Sequence, residues 1–278
     1  MRNFIGRLYH RSTVFRSIIY LPLDFLDLLD RLLGRGDDLM PPRRINATGR
    51  GNFREIGQEF LRHFIKLGDL KPSHKVLDVG CGVGRMAVAL AGFLNADGQY
   101  RGFDIVPKFI QWAQKSITPR FPNFQFEHFD AYNTLYNPKS QTLARDLKFP
   151  YADGEFDFVF LTSVFTHMTP EDHEHYLSEI SRVLKPGGRV LATYFLINDE
   201  ALGFIKQGKS TQSFIDTGKG YWVIDEKIPE ANTGYEEGAI RSMFAKYGLS
   251  IIKPIHFGLW CGRKDFLSYQ DIIVASKT

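Results

Sequence analysis

The sequence has few cysteines and no long apolar run, and both shortages restrict what the protein can be. Cys81 and Cys261 are the only cysteines in 278 residues, too few for a disulfide framework. Neither lies in a C-x-x-C motif or a Cys/His cluster of the kind that binds zinc. No uninterrupted apolar stretch approaches the roughly 18 residues that a transmembrane helix needs. We therefore expect a cytoplasmic protein without a metal site.

Acidic residues are missing from the first 23 positions. Arg2, Arg7, Arg11 and Arg16 lie in this segment and account for the whole net charge of +4. The rest of the chain carries as many acidic as basic residues, which argues against a nucleic-acid-binding face, because such a face needs a basic stripe on the folded domain.

The same N-terminal segment has apolar residues at helical spacing. Pro22 and Asp24 interrupt the apolar run, and no small-residue cleavage site follows it. We consider a helix that packs on the main domain, a basic amphipathic helix on a membrane surface through residues 1–23, and a transit peptide. The periodic apolar positions are Phe4, Ile5, Leu8, Phe15, Ile18 and Ile19.

Strands and helices alternate from Lys75 onward, which predicts right-handed crossovers and a mostly parallel sheet. The chain divides into an N-terminal helical segment (residues 1–54) and one α/β domain (residues 55–278). The connection over about 198–235 is long enough to be a lid or an inserted element.

The segment Val76–Arg85 (VLDVGCGVGR) is the most informative stretch. It predicts a buried strand, a turn containing Gly80, Gly82 and Gly84, and a helix whose free N–H groups face the turn. Asp78 places a carboxylate beside this turn. A dinucleotide site usually has the spacing G-x-G-x-x-G. The tighter spacing and the acid favour a ligand with positive charge.

Further motifs follow in order, and together they resemble the class I S-adenosylmethionine-dependent methyltransferases. The motif VLDVGCGVGR resembles the first motif of that family. Asp104 ends the second strand, Asp130-Ala131 follows the third, and FDFVFLTSVFTHM resembles the fourth-strand motif. ISRVLKPGGRVLATYF resembles the helix, turn and fifth strand. The likeness is strong over residues 55–197 and holds in outline over 236–277.

The resemblance implies a three-layer Rossmann-like sandwich around a mostly parallel seven-stranded sheet with an antiparallel last strand. It also implies S-adenosylmethionine as cofactor. Each carboxylate has another interpretation: Asp78 holds the glycine turn, Asp104 caps a helix, and Asp130 is a turn residue. The predicted cofactor-binding residues are Asp78, Gly80, Cys81, Gly82, Gly84, Arg85, Asp104, Ile105, Asp130, Ala131, Leu161 and Thr162.

The acceptor is less constrained by the sequence. His167 follows the fourth strand and suits a general base for hydroxyl methylation, unless it packs against the cofactor or caps the next helix. Tyr221 and Trp222 lie in the long connection and suit stacking on a flat or sugar-like ligand. We expect methylation of a hydroxyl on a small molecule or glycan.

Other functions remain open at this point. They are N-methylation of a small molecule, a non-catalytic scaffold, and a nicotinamide-dependent oxidoreductase. The arginines at 43, 44, 50 and 54 could contact an anionic acceptor or the cofactor carboxylate. The oligomeric state is undetermined.

Overall fold

The computed structural model describes residues 13–34, 36–46 and 52–278. Within these residues seven strands form one sheet, in the spatial order β10-β11-β5-β4-β1-β2-β3. The strands are β1 Lys75–Val79, β2 Gln99–Asp104, β3 Phe124–His128, β4 Phe156–Leu161, β5 Leu184–Tyr194, β10 Leu249–His256 and β11 Asp271–Lys277. Neighbouring strands run parallel except β11, which is antiparallel to both β5 and β10. The predicted sheet is confirmed, including its antiparallel last strand.

Helices precede and connect these strands. They are α1 Thr13–Leu32, α2 Phe53–Lys66, α3 Arg85–Leu90, α4 Pro107–Ser116, α5 Pro170–Val183, α6 Asp199–Lys206 and α7 Glu237–Lys246. The helix α5 begins as its sequence predicts, because the Thr169 side chain accepts a hydrogen bond from the Asp172 N–H and Pro170 occupies the first position.

Aromatic side chains fill both faces of the sheet. On one face Phe158 and Phe160 of β4 pack against Phe64 of α2, with ring centroids 5.5 and 4.3 Å from that of Phe64. On the other face Phe103 stacks on Phe129 at 4.0 Å. Because both faces are covered, β4 needs the near-continuous apolar run that its sequence has.

Two boundaries differ from the sequence prediction. We expect β5 to begin at Arg189, after the turn at 185–188. In the structure β5 already pairs with β4 at Leu184, and the register of the two strands shifts between Leu184 and Arg189. The apolar run breaks at Pro22, yet α1 continues through it. The apolar positions at 4, 5 and 8 lie outside the described residues. None of the described helices combines the length and apolar character that crossing a bilayer requires.

The long connection forms a small second sheet. Its strands are β6 Leu196–Ile197, β7 Ile215–Asp216, β8 Tyr221–Val223 and β9 Thr233–Glu236, in the order β6-β9-β8-β7. A separate apolar cluster, which includes Phe195, Ile197 and Trp260, lies beneath it. The predicted inserted element over 198–235 therefore folds against residues near the end of the chain.

Asp271 joins the small sheet to the main one. Its carboxylate is fully buried and accepts hydrogen bonds from the backbone N–H groups of Leu196 and Gly258, both at 2.6 Å. The indole N–H of Trp260 donates to it at 2.8 Å, and Arg263 lies 3.5 Å away. Burial raises the pKa of Asp271 to about 6, so the group is mainly ionised at neutral pH.

We predict that Asp271→Ala lowers the free energy of unfolding by about 3–5 kcal/mol, because three buried donors and an arginine lose their acceptor. Denaturant unfolding measures this change. Asp265→Ala, at an exposed position in the loop before β11, should change the same quantity by no more than about 0.5 kcal/mol. Equal effects of the two variants would contradict the structural role of Asp271.

Candidate active site

A cavity of about 1020 Å³ opens at the carboxyl ends of β1, β2 and β4. This is the edge of a parallel sheet where ligands bind in such folds. Its walls come from the glycine turn after β1, the loop after β3, the turn after β4, the helix α2, and residues of the inserted element and the 268–270 loop.

The glycine turn follows its sequence prediction. Gly80, Gly82 and Gly84 have φ values of +76°, +55° and +75°, a region that favours glycine. A Cβ atom at Gly80 would collide with Val164, and one at Gly84 would lie 2.6 Å from Ile117. A Cβ atom at Gly82 would meet no atom within 4 Å, and Gly82 lines the cavity. The space beside Gly82 is therefore open to a ligand.

Asp104 holds this turn in place. One carboxylate oxygen accepts the Gly82 N–H at 2.8 Å, and the other accepts the Val106 N–H at 2.8 Å, just before α4. The capping interpretation of Asp104 is thus present in the structure. Each carboxylate oxygen has a second lone pair, so both can still accept a ligand hydroxyl. Burial raises the pKa of Asp104, and the two backbone hydrogen bonds oppose that rise.

Asp78 is buried at the floor of the cavity. Its Oδ2 accepts the hydroxyl of Tyr100 at 2.6 Å, while its Oδ1 has no hydrogen-bond partner although it is buried. Burial raises the pKa of Asp78 to about 8. A buried carboxylate oxygen without a partner is costly, and it fits a site whose missing donor is supplied by a ligand.

His167 is held from two sides. Its Nδ1 lies 2.9 Å from the carbonyl oxygen of Glu230, and its own carbonyl accepts the side-chain amide of Asn133 at 3.1 Å. Since a carbonyl can only accept, Nδ1 carries the proton, and Nε2 has the lone pair. Tyr136 packs edge-on against the imidazole with a centroid distance of 5.5 Å. Burial lowers the pKa of His167, so the ring is neutral at pH 7.

The turn after β4 is strained and tied to the 268–270 loop. Ser163 has φ +59°, which is unfavourable for a residue with a Cβ atom. Its N–H donates to the hydroxyl of Thr193 at 2.8 Å, and both hydroxyls donate to the side-chain oxygen of Gln270, at 2.8 and 2.7 Å. Such strain is typical of functional sites, where the surrounding contacts maintain it.

Acidic side chains outnumber basic ones in the cavity wall. Among the described residues that line it there are six carboxylate side chains, one arginine and no lysine. Two of the acids come from α2, and one of these, Glu59, accepts the Ser268 hydroxyl at 2.6 Å. The carboxylate of Glu230 accepts the Thr134 hydroxyl at 2.8 Å. The six are Glu55, Glu59, Asp78, Asp104, Asp172 and Glu230, and the arginine is Arg85.

Comparison with known proteins agrees with this geometry. The family model described as a methyltransferase domain matches residues 77–192. Demethylmenaquinone methyltransferase of Bacillus mycoides is 29% identical over 128 residues, 46% of this chain and 47% of that protein. Methyltransferase GfsG of Streptomyces halstedii is 30% identical over 136 residues, 49% of this chain and 43% of that protein. The chain spans about half the length of these curated relatives.

Residues 77–192 are therefore similar to a methyltransferase domain.

Solved structures support the same fold. The PH0226 protein from Pyrococcus horikoshii matches with a TM-score of 0.56 and 19% identity, over 83% of this chain and 93% of that one. A SAM-dependent methyltransferase from Aquifex aeolicus matches with a TM-score of 0.52 and 16% identity, over 86% of this chain and all of that one. At these identities the likeness concerns the fold alone.

The methyltransferase domain brings most of the predicted residues together. Those that line its cavity are Asp78, Gly80, Cys81, Gly82, Arg85, Asp104, Ile105, Ala131, Thr162 and His167. Gly84 and Leu161 do not line it: Gly84 packs towards Ile117, and Leu161 is buried in the core.

Asp130 does not reach the cavity, contrary to its predicted role with the cofactor. Its side chain is exposed and accepts the amide of Asn137 at 2.8 Å. Its carbonyl accepts the Ser140 hydroxyl at 3.0 Å. The turn-residue interpretation of Asp130 therefore describes the structure, and Ala131 is the member of the pair at the cavity.

The weakly predicted acceptor residues also lie elsewhere. Tyr221 packs against the main core, and Trp222 packs on the apolar cluster beneath the small sheet. Neither lines the cavity. Both side chains are partly buried in these contacts. Packing alone therefore accounts for the presence of aromatic residues at these two positions.

The arginines before the domain are engaged by acids outside the cavity. Arg43 contacts Asp27 and Asp30, both at 2.6 Å, and Arg44 lies 3.4 Å from Asp24. Arg54 pairs with Asp37 at 2.5 Å. The arginine at position 50 lies outside the described residues. The suggested contact of these arginines with an anionic ligand is not supported for the three that are described.

The fit of S-adenosylmethionine rests on Asp78 and the open space at Gly82. The cofactor carries an ammonium group, which can donate to the unpartnered Asp78 Oδ1. It also carries hydroxyls, which can donate to the remaining lone pairs of Asp104. Arg85, the arginine of the cavity wall, suits its carboxylate. The acids and the arginine thus match the charges of the cofactor, and the residues present fit the group.

We predict that binding of S-adenosylhomocysteine at pH 7 releases a proton from Asp78. Asp78 is protonated below about pH 8 in the free protein, and an ammonium group beside it lowers its pKa and favours the ionised form. Calorimetry in two buffers of different ionisation enthalpy measures this release. Asp78→Asn, which cannot ionise, should bind more weakly and show no dependence on the buffer. A wild-type binding enthalpy independent of the buffer would contradict the prediction.

Proposed function

We propose that the protein is an S-adenosylmethionine-dependent methyltransferase. The observation that carries the proposal is the buried, unpartnered Oδ1 of Asp78 beside the Cβ-free turn at Gly82, inside a methyltransferase domain. A ligand without a hydrogen-bond donor would leave this oxygen unpaired, whereas an ammonium group satisfies it and also offsets part of its desolvation cost by its charge.

Each donor-side residue then has a defined task. S-adenosylmethionine supplies an electrophilic methyl group on a sulfonium sulfur. Asp78 would bind the ammonium group, Asp104 would accept the ribose hydroxyls, and Arg85 would bind the carboxylate. Ile105 and Ala131 line the neighbouring wall, where they offer an apolar surface to the adenine. Because transfer from a sulfonium is an in-line displacement, positioning and exclusion of water contribute much of the rate.

We further propose that the acceptor group is a hydroxyl of a small molecule or glycan, with His167 as general base. The imidazole is fixed by the Glu230 carbonyl and by Tyr136. Its Nε2 lone pair would take the hydroxyl proton as the acceptor oxygen bonds to the methyl carbon and the methyl–sulfur bond breaks, with the neutral thioether S-adenosylhomocysteine as leaving group. A lowered pKa keeps this nitrogen unprotonated at neutral pH.

The acidic wall restricts the acceptor to a neutral or cationic molecule. Glu55 and Glu59 on α2 would repel a phosphate or carboxylate near the reacting group. The same acids would attract an amine, and this favours N-methylation of a small molecule as the second candidate function. In that reaction Nε2 of His167 would accept the proton of an ammonium group before attack.

Binding measurements and product analysis test the proposal in sequence. We expect calorimetry to show S-adenosylhomocysteine binding and no NAD binding, and the reverse result would identify an oxidoreductase. Incubation of a fractionated extract with trideuteromethyl-labelled cofactor should yield one product that gains the labelled methyl group, and mass spectrometric fragmentation distinguishes a methyl ether from a methylamine. Tight cofactor binding with no labelled product in any fraction would favour the scaffold.

We predict that His167→Asn lowers kcat for that acceptor about 100-fold or more, while the affinity for S-adenosylhomocysteine is unchanged. With the wild type at saturating cofactor, kcat should fall only as the pH drops below the ordinary histidine pKa of about 6.5, because burial lowers the pKa of His167. Steady-state kinetics across pH measures both effects.

His175→Asn is the matched control, since His175 lies outside the cavity and bonds to the Leu147 carbonyl at 2.9 Å. This variant should retain the wild-type kcat. A loss of less than tenfold in His167→Asn would assign His167 to packing.

A further inference from the structure

The helix α1 exposes an apolar stripe. Leu21, Phe25, Leu28 and Leu32 recur at spacings of four and three, so they lie on one face of the helix. Their exposed fractions are 60, 58, 51 and 74%. Leu26 and Leu33, on a different face of the helix, are also exposed. A contiguous apolar surface of this kind marks an interaction site, whereas single exposed leucines do not.

The acidic residues of the same helix face the rest of the protein. Asp27 and Asp30 both contact Arg43, and Asp24 lies near Arg44. All three carboxylates are paired with arginines; Asp27 and Asp30 lie on the side of the helix away from the stripe, and Asp24 lies at its edge. On the exposed side of α1, Asp24 borders the stripe, and its charge is offset by Arg44, 3.4 Å away.

The segment after α1 fixes the helix to the methyltransferase domain. Leu39, Met40 and Ile45 pack against the core. Asp38 pairs with Arg120 at 2.6 Å, and Asp37 pairs with Arg54 of α2. The helix is thus attached along its acidic side, and its apolar stripe is left to contact something outside the chain.

The positive charge of the N-terminal segment indicates an anionic partner for the apolar stripe. Residues 1–23 contain four arginines and no acid. In a dimer formed through this segment, the arginines of one copy would find no acidic residue within residues 1–23 of the other. An anionic lipid surface attracts the arginines and at the same time buries the leucines and the phenylalanine. We propose that the apolar stripe of α1 lies on an anionic membrane surface, in the plane of the headgroups.

Vesicle binding of the full chain tests this proposal. We expect the protein to cofloat with phosphatidylcholine vesicles that contain phosphatidylserine, and to bind pure phosphatidylcholine vesicles at least about tenfold more weakly. High salt should weaken the binding, because it screens the contribution of the arginines.

The quadruple variant Leu21→Gln, Phe25→Gln, Leu28→Gln and Leu32→Gln keeps good helix formers and removes the stripe. It should bind anionic vesicles at least about tenfold more weakly. The control is Phe266→Gln with Leu267→Gln, two residues outside α1 that are 47 and 41% exposed. The control should bind like the wild type.

Two results would overturn the proposal. The first is undiminished vesicle binding by the quadruple variant. The second is a dimer in light scattering that the quadruple variant dissociates, with no binding to vesicles, which would assign the stripe to a second copy. Binding of S-adenosylhomocysteine is measured on the same preparations. It shows whether the domain is folded and binds the proposed cofactor, independently of whether the protein binds vesicles.

Discussion

The hydrogen bond from the Gly82 N–H to Asp104 joins the ends of two neighbouring parallel strands, and the cavity depends on it. The N–H groups of Gly80 and Cys81 both donate to the Phe103 carbonyl at 2.9 Å, which fixes the first half of the turn. Asp104 then fixes the second half. Since the turn is held by β2, its Cβ-free face is kept beside Asp78. The shape of the proposed cofactor site therefore depends on the pairing of β1 with β2 more than on the glycine turn itself.

Much of this arrangement could be predicted from the sequence because it is encoded locally. The apolar run before Gly80 identifies a buried strand, and Asp104 lies at the end of the next one, so parallel pairing brings the two together. Local patterns do not indicate that Asp130 has a competing partner. Its side chain bonds to Asn137 seven residues later, a contact that neither periodicity nor spacing indicates.

The acidic wall could not be predicted, since it depends on tertiary contacts between distant segments. Glu59 and Ser268 are more than 200 positions apart and are hydrogen-bonded. Glu230 belongs to the inserted element, yet its carbonyl determines which nitrogen of His167 carries the proton. The long connection after β5 indicated that some element covers the site. The packing of the small sheet determines which residues of this connection face the cavity.

The distribution of charge also explains why Asp78 can remain buried and incompletely paired. In a domain selected only for stability, an apolar residue or a second donor at this position would remove the desolvation penalty. Here Arg54, which precedes Glu55 on α2, pairs with Asp37 outside the cavity, and the described wall residues include six carboxylates and one arginine, Arg85. The interior therefore keeps its attraction for a cation, while the basic N-terminal segment attracts anions. The two charged regions are separated along the chain, so each can meet its own partner without neutralising the other.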